Sequence, residues 1–388
     1  MEGASSSMND RYASGVKQKE FPVRAKQSGS EPRRINIRDI AKMANVSVAT
    51  VSRAMNGIAT VNPKMAKRVW DVIAKNEYFP NSQARALVSG RSRTLGLIVS
   101  EITNPFFPEL IEGFEEIAVQ HGYEIWIGST NYDPERMTRC VRRMLERKVD
   151  GVAVMTFGME EALTNQLIER HVALVMIDNG AKHSATSRLK VDYYQGISAA
   201  VKHLIELGHR EIGFITGPMH LHSAKMRKAA FERSLKENGL ASRASWILEG
   251  DHTFEGGIGA AQRIIDAGKM PTALMCSNDM TAIGVLHQAY RSGLHVPDDL
   301  SVIGFEDIHL AEVMIPPLTT IEMSRFEIAR AAVAALRDQI EREDVGGRTQ
   351  EYTIPTRLIV RQSAASPRTV TTGKRRSARQ SSLASKKV

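Results

Sequence analysis

Residues 37–55 read Ile37-Arg38-Asp39-Ile40-Ala41-Lys42-Met43-Ala44-Asn45-Val46-Ser47-Val48-Ala49-Thr50-Val51-Ser52-Arg53-Ala54-Met55. The apolar positions Ile40, Ala41, Ala44, Val46, Val51, Ala54 and Met55 recur at helical spacing and define two short amphipathic helices. Between them stands Asn45, a residue that tolerates the left-handed conformation of a tight turn. Asn36 with Asp39 can cap the first helix and Ser47 the second. The pattern is that of a helix-turn-helix, in which the start of the second helix enters the major groove. Ser47, Thr50, Ser52 and Arg53 offer hydroxyls and a guanidinium to phosphates and guanines, and Val48 and Ala49 offer apolar surface to thymine methyls. Taken alone, the stretch also fits a helical hairpin inside a larger helical domain.

Downstream residues extend the helical unit. Asn62-Pro63 caps and opens a third helix through about Lys75, with Val69, Ile73 and Ala74 inward and Lys64, Lys67 and Arg68 outward. Tyr78-Phe79-Pro80-Asn81 stops it, and Asn81 can cap a short fourth helix, 82–89, ended by Gly90. A segment that short is unstable alone in water and forms only when something packs on it.

The chain resembles the lac-repressor and gal-repressor family of bacterial transcription regulators. The resemblance rests on Asp39-Ile40-Ala41, Val46 to Arg53, Tyr78-Phe79-Pro80-Asn81 and Ala84-Arg85-Ala86-Leu87, and continues to about Ser363. It departs at Asn45, where many members have glycine, and at Val88, where some have a basic residue. The resemblance implies a homodimer that binds a palindromic operator in double-stranded DNA. It also implies a hinge helix whose Leu87 wedges the central base step, beside DNA contacts from Asn81 and Arg85. Val48 and Ala49 match the galactose-type pair, which implies an operator with a central CG step.

Charge is segregated along the 388 residues. Residues 1–34 carry seven Lys or Arg against four Asp or Glu, and 35–90 carry eight against three. Residues 91–363 carry 30 against 36, and 364–388 carry seven against none. The basic charge suits a phosphate backbone; the acidic segment needs another task. Cys140 and Cys276 are the two cysteines, without the spacing of a zinc site or disulfide framework, which fits a reducing cytoplasm. Neither a signal-peptide pattern nor a membrane-spanning run is present in the sequence.

From Leu95 onward, short apolar strands alternate with amphipathic helices, the signature of parallel sheets covered on both faces. Strands are expected at 95–100, 124–129, 151–156, 173–177, 211–216, 272–277 and 301–305. The helices between them are expected near 106–121, 134–147, 160–170, 195–207, 223–238, 254–267 and 279–292. The expected fold is therefore a small all-α helix-turn-helix headpiece with a hinge helix, joined to an α/β two-lobed periplasmic-binding-protein-like domain. Its divisions are a disordered extension 1–34, the headpiece 35–80, a hinge and linker 81–94, the effector-binding and dimerisation domain 95–363, and a disordered basic tail 364–388. By resemblance, 95 to about 191 build one lobe and about 192 to 317 the other. Helix 324–343 returns to the first lobe and 351–363 to the second.

In parallel sheets ligands bind beyond the carboxyl ends of the strands. Phe106 and Phe107 follow the first strand and can face an effector, the core or a dimer partner. Asp178 follows the strand ending at Ile177 and can contact a ligand or cap a helix. Asp279 follows Cys276-Ser277-Asn278, where resemblance favours ligand contact. Arg227, downstream of Gly217-Pro218, aligns with the arginine through which relatives hold their effector, and His222 lies in the same loop. Asp192, Gly196, His203 and Leu207-Gly208-His209-Arg210 read as fold signatures. This set suits a sugar, sugar acid, sugar phosphate or nucleobase. No catalytic set, metal cluster or cofactor loop is legible, so the expected function is a non-enzymatic, cytoplasmic repressor with an allosteric effector. The alternative is a solute-binding protein of a transport system, against which the helix-turn-helix counts.

Overall fold

A computed structural model describes residues 35–55, 60–78, 90–156, 158–178, 185–341 and 350–368. The chain divides into two compact units, which meet in sequence between Asn81 and Ser82.

In the first unit, α1 (Ile37–Met43), α2 (Val48–Met55) and α3 (Pro63–Lys75) form a helical headpiece. Asn36 Oδ1 accepts hydrogen bonds from the Arg38 and Asp39 amides while the Asp39 carboxylate accepts from the Asn36 amide, a reciprocal cap. Asn45 makes the turn in the left-handed conformation, at φ 49. Ser47 Oγ accepts from the Thr50 amide at 3.1 Å and so starts α2. Ile40, Ala41, Ala44, Val51, Ala54, Val69 and Ile73 share one buried cluster. Ala74 does not join it: the side chain is exposed, because α3 turns its 69 and 73 positions, and not 74, onto α1 and α2.

The second unit is α/β. Its first sheet has the order β11-β5-β4-β3-β1-β2, comprising β1 (Thr94–Val99), β2 (Glu124–Ser129), β3 (Gly151–Met155), β4 (Ala173–Ile177), β5 (Ser187–Val191) and β11 (Glu351–Ile354). All six strands are parallel. Helices α4 (Phe106–Gln120), α5 (Pro134–Glu146) and α6 (Glu161–Glu169) connect them. The second sheet has the order β7-β6-β8-β9, from β6 (Ile212–Thr216), β7 (Ile247–Glu249), β8 (Ala273–Cys276) and β9 (Ser301–Ile303), also parallel. It carries α7 (Tyr193–Glu206), α8 (His222–Glu237), α9 (Phe254–Asp266) and α10 (Asp279–Arg291), followed by the short α11 (His309–Val313). Central strands such as β3 and β4 are buried at every position, as expected for a sheet covered on both faces.

The chain passes between the lobes three times, at Asp192, Ser324 and Pro355. Strand β10 (Thr320–Met323) pairs antiparallel with β12 (Thr356–Ile359) beside the second sheet, and α12 (Arg325–Glu341) packs against α4, β3 and β4 of the first lobe. Residues 351–354 depart from the expected assignment, since β11 extends the first sheet through β5 and only the residues after Pro355 return to the second lobe. Two crossovers are bonded together: the Asp192 amide donates to Ile354 O at 2.9 Å, and the Gly196 amide to Thr356 Oγ1 at 2.9 Å. Gly196 is required by this approach, because a Cβ there would come 2.3 Å from Ile321 Cγ2. His209, read from the sequence as a fold signature, bonds Thr272 Oγ1 at 2.8 Å and Ala365 O at 2.8 Å and ties the second lobe together.

Candidate functional site

Between the carboxyl ends of the two parallel sheets lies a cavity of about 50 Å³. Its floor and walls include Ser100, Asn104, Phe106 and Phe107 of the first lobe with Ser223, Arg227 and Glu306 of the second. Ligand pockets usually measure about 300–1,000 Å³. At about 50 Å³ this cavity is smaller than such a pocket.

Arg227 is the centre of the site. Helix α8 carries it inward at 4% exposure, over the Phe305 ring at 4.1 Å and the Tyr193 ring at 5.2 Å. Its Nη1 donates to Ser277 O and stands 4.0 Å from Glu306 Oε1. Its Nε–H is buried without a partner, an arrangement costly to leave unmade and suited to an incoming acceptor.

Glu306 was not anticipated. It follows β9 and is buried, with Oε2 accepting from Asn104 Nδ2 of the first lobe at 3.3 Å. One carboxylate thus joins the two lobes across the cavity. Its backbone sits at φ 111, a strained value for a side chain other than glycine, and strain of this kind gathers at functional sites. Arg325 Nη1 holds the turn by donating to Glu306 O at 2.9 Å and Asp307 O at 2.7 Å. Burial raises the Glu306 carboxyl to about 7 against the opposing pull of Arg227. His252, whose Nε2 bonds Ser277 Oγ at 2.9 Å, is driven the other way, to about 3, by desolvation and the neighbouring Arg227, and is neutral at pH 7.

The raised Glu306 value yields a prediction. A group whose folded pKa lies above its unfolded value contributes stability that is complete below the unfolded pKa, near 4.5, and is lost as pH rises through the folded pKa, near 7. Relative to Glu306→Gln, which does not titrate, the parent protein should lose roughly 3 kcal/mol between pH 4.5 and 8. Denaturant unfolding of both proteins across that range measures the difference, and parallel pH profiles would remove Glu306 as its source.

Phe106 and Phe107 both line the cavity and meet edge to face, with centroids 5.4 Å apart. Asp178 is buried but engaged: Oδ1 accepts from the Val191 amide at 2.9 Å and Oδ2 from Tyr193 Oη at 2.5 Å. It positions Tyr193, which lines the cavity, and neither faces the cavity nor caps a described helix. Burial raises its carboxyl above the usual range. Asp279 departs from expectation. It is fully buried, with Oδ2 accepting from the Ile308 amide at 2.9 Å and Oδ1 from Thr320 Oγ1 at 2.5 Å. Both oxygens brace the second lobe, where Gly304 packs so closely that a Cβ would come 2.0 Å from Oδ1, and no part of Asp279 lines the cavity. His222 begins α8, is exposed, and lies outside the lining.

On the headpiece, Ser47, Val48, Ala49 and Arg53 are exposed, while Thr50 and Ser52 are half-buried. Asn81, Arg85 and Leu87 lie outside the described residues. Asn104, Tyr132, Tyr193, Ser223 and His252 join the cavity without having been singled out. Position within a few residues of an expected strand end marks Asn104, Tyr132 and Glu306; Tyr193 and His252 follow β5 and β7, which are not among the expected strands, and Ser223 comes from the start of α8.

Comparison with known proteins follows the same division. Residues 36–81 match bacterial regulatory proteins of the lacI family, and residues 201–364 match the periplasmic binding protein-like domain. Over 331 residues the chain is 34% identical to catabolite control protein A of Priestia megaterium, spanning 85% of this chain and 99% of that protein. It is 36% identical over 312 residues to the HTH-type transcriptional repressor PurR of Aliivibrio fischeri (strain MJ11), spanning 79% and 92%. Among solved structures, the lac repressor dimer bound to operator and the anti-inducer ONPF gives a TM-score of 0.75 at 24% identity, over 86% of this chain and 100% of that one. The regulator CelR in complex with cellobiose gives 0.65 at 26% identity, over 85% and 100%.

Proposed function

Because this chain belongs to the lacI family of bacterial regulatory proteins, we propose that it represses transcription as a homodimer whose affinity for a palindromic operator is set by a small effector. Each headpiece reads one half-site through the exposed start of α2, with Val48 and Ala49 on base edges and Ser47, Thr50, Ser52 and Arg53 on phosphates and bases. The effector occupies the cavity between the lobes, and the hinge segment containing Asn81, Arg85 and Leu87 couples that event to DNA. Such coupling amounts to about 1–3 kcal/mol and is reciprocal.

The observation that carries the effector reading is the buried Nε–H of Arg227, unpartnered beside Glu306 in a cavity on which residues of both lobes converge. A ligand that accepts from Arg227 and donates hydroxyls to Glu306 satisfies both, which fits sugars and sugar acids better than nucleobases. That a regulator of this fold binds cellobiose supports the same class. Phe106 and Phe107 supply an apolar surface against which the C–H face of a pyranose or furanose ring can pack.

The test is binding of purified protein to duplexes selected from a randomised pool, with sedimentation to give the stoichiometry and a thermal-shift panel of sugars and sugar acids. A symmetric consensus, two protomers per duplex and a sugar that both raises the melting temperature and alters duplex affinity are expected. Equal affinity for selected and scrambled duplexes would end the proposal.

A further inference from the structure

Glu306 belongs to the second lobe, yet the first lobe grips it at both side chain and backbone. Its carboxylate meets Asn104 of the first lobe across the cavity. Its carbonyl oxygen and that of Asp307 both accept from Arg325 Nη1. Arg325 opens α12, the helix that follows the crossover at Ser324 and packs on α4 of the first lobe, where Gly113 faces Ala329. The guanidinium is fixed in turn by Glu109 of α4, whose Oε2 lies 2.9 Å from Arg325 Nε. The other oxygen of that carboxylate, Oε1, accepts from the His309 amide of the second lobe at 3.1 Å. Arg325 and Glu109 themselves lie outside the lining of the effector cavity.

The first turn of a helix is an unfavourable place for a cation, because the amino end carries partial positive charge, and Arg325 is the first residue of α12. What the side chain holds there is a strained turn. Glu306 and Asp307 adopt positive φ in succession, 111 and 56. Backbone of this kind persists only where the surroundings over-determine it, and two carbonyls bonded to one guanidinium supply such a restraint. The side chains of the Arg325–Glu109 pair are 21% and 26% exposed, and a pair that solvent reaches contributes little to folding. What it supplies is the placement of a planar, multiply donating group.

We propose that Arg325 and Glu109 are positioning residues for the effector: from the first lobe they hold the turn that aims Glu306 into the cavity, and they touch no part of the bound molecule. The inference rests on the reading that a sugar or sugar acid occupies that cavity. Without the clamp the turn relaxes, Glu306 leaves Asn104 and Arg227 for water, and a ligand has to restore the strained backbone as it binds. Restoring it corresponds to roughly 5- to 100-fold in Kd. The effect passes through Glu306 and disappears where there is no side chain to aim.

Two measurements on the full chain test this. The first uses no ligand and follows denaturant unfolding between about pH 4.5 and 8. In the parent, stability relative to Glu306→Gln falls as pH rises through the raised Glu306 value. In Arg325→Met, compared with Arg325→Met that also carries Glu306→Gln, this dependence should be largely lost, because a carboxyl released to water titrates as it does in the unfolded chain. Loss of a cation alone does the opposite, raising the Glu306 carboxyl further and steepening the profile. An unchanged or steeper profile therefore overturns the inference.

The second is calorimetric titration with D-ribose, D-glucose, D-galactose, cellobiose, D-gluconate and D-glucuronate. For those that bind the parent, Arg325→Met should weaken binding by that factor, and Arg325→Lys and Glu109→Gln by less. In Glu306→Gly, which lacks the side chain and suits the positive φ, adding Arg325→Met should change little. Parental affinity in Arg325→Met, or an equal loss in both backgrounds, overturns the inference alone. If Arg325→Met does not fold, Arg325→Lys and Glu109→Gln carry both comparisons. Binding of none of these compounds by the parent, or binding that survives Arg227→Ala unchanged, overturns the effector reading and this inference with it.

Discussion

Replacing Arg227 with alanine should remove the effector response while leaving operator binding intact. The guanidinium is held by Ser277 O and two aromatic faces, so its position does not depend on a ligand. Removing it leaves the Glu306 carboxylate buried without its cation, 4.0 Å away in the parent, and removes a buried N–H of the cavity that has no partner among the described residues. Truncating one member of a buried, hydrogen-bonded charge pair typically costs about 2–5 kcal/mol of binding, which corresponds to roughly 30-fold to several thousand-fold in Kd. Proton uptake by Glu306, whose carboxyl already stands near 7, relieves part of the penalty to the free protein but does not restore the donor. Arg227→Lys keeps the charge without the planar fork and should bind with intermediate affinity. Calorimetry with the identified sugar and duplex retardation with and without it separate the two functions. Parental sensitivity to effector in Arg227→Ala would show that the ligand is held elsewhere.

The two carboxylates at the cavity show where sequence reading stops. Asp279 and Glu306 both follow strands of the second sheet, and position alone ranks them equally. What separates them is β10, which runs alongside the end of β9 and presents Thr320 to Asp279, while the strained turn at Glu306 aims that side chain across the cavity toward Asn104. Neither strand register nor a crossover is encoded in local pattern. Continuous apolar runs were legible because strands such as β3, β4 and β6 are buried on both faces. Strand β5 was not, since Arg188 and Lys190 alternate with buried positions at the border with β11. The headpiece was legible almost throughout, because caps and turns are local chemistry: Asn36, Asn45 and Ser47 each act within three residues of themselves. Which lobe residues 351–354 join depends instead on a pairing with β5 more than 150 residues away.

Exchanging Val48 and Ala49 for polar residues should redirect sequence preference without weakening the protein's hold on DNA in general. Helix α2 divides its faces sharply. Val51 and Ala54 are buried against α1 and α3, whereas Val48 is 40% exposed and Ala49 and Arg53 face outward. Substitution at 48 and 49 therefore leaves the headpiece core untouched, and the cap from Ser47 to Thr50 survives. Apolar side chains at these positions favour thymine methyls, and a glutamine there favours the N6/N7 edge of adenine, a difference of about 1–3 kcal/mol for each base pair correctly read. In the proposed dimer, two protomers reading symmetric half-sites apply that difference twice, so Val48→Thr with Ala49→Gln should lower affinity for the parental operator by two or more orders of magnitude. Phosphate contacts made elsewhere are unaffected, and binding to random-sequence DNA should keep its magnitude and salt slope. Selection from a randomised duplex pool, run in parallel for parent and variant, reads the shift directly. An unchanged consensus would mean that the start of α2 does not lie against base edges, and the half-site would then have to be read by another surface of the headpiece.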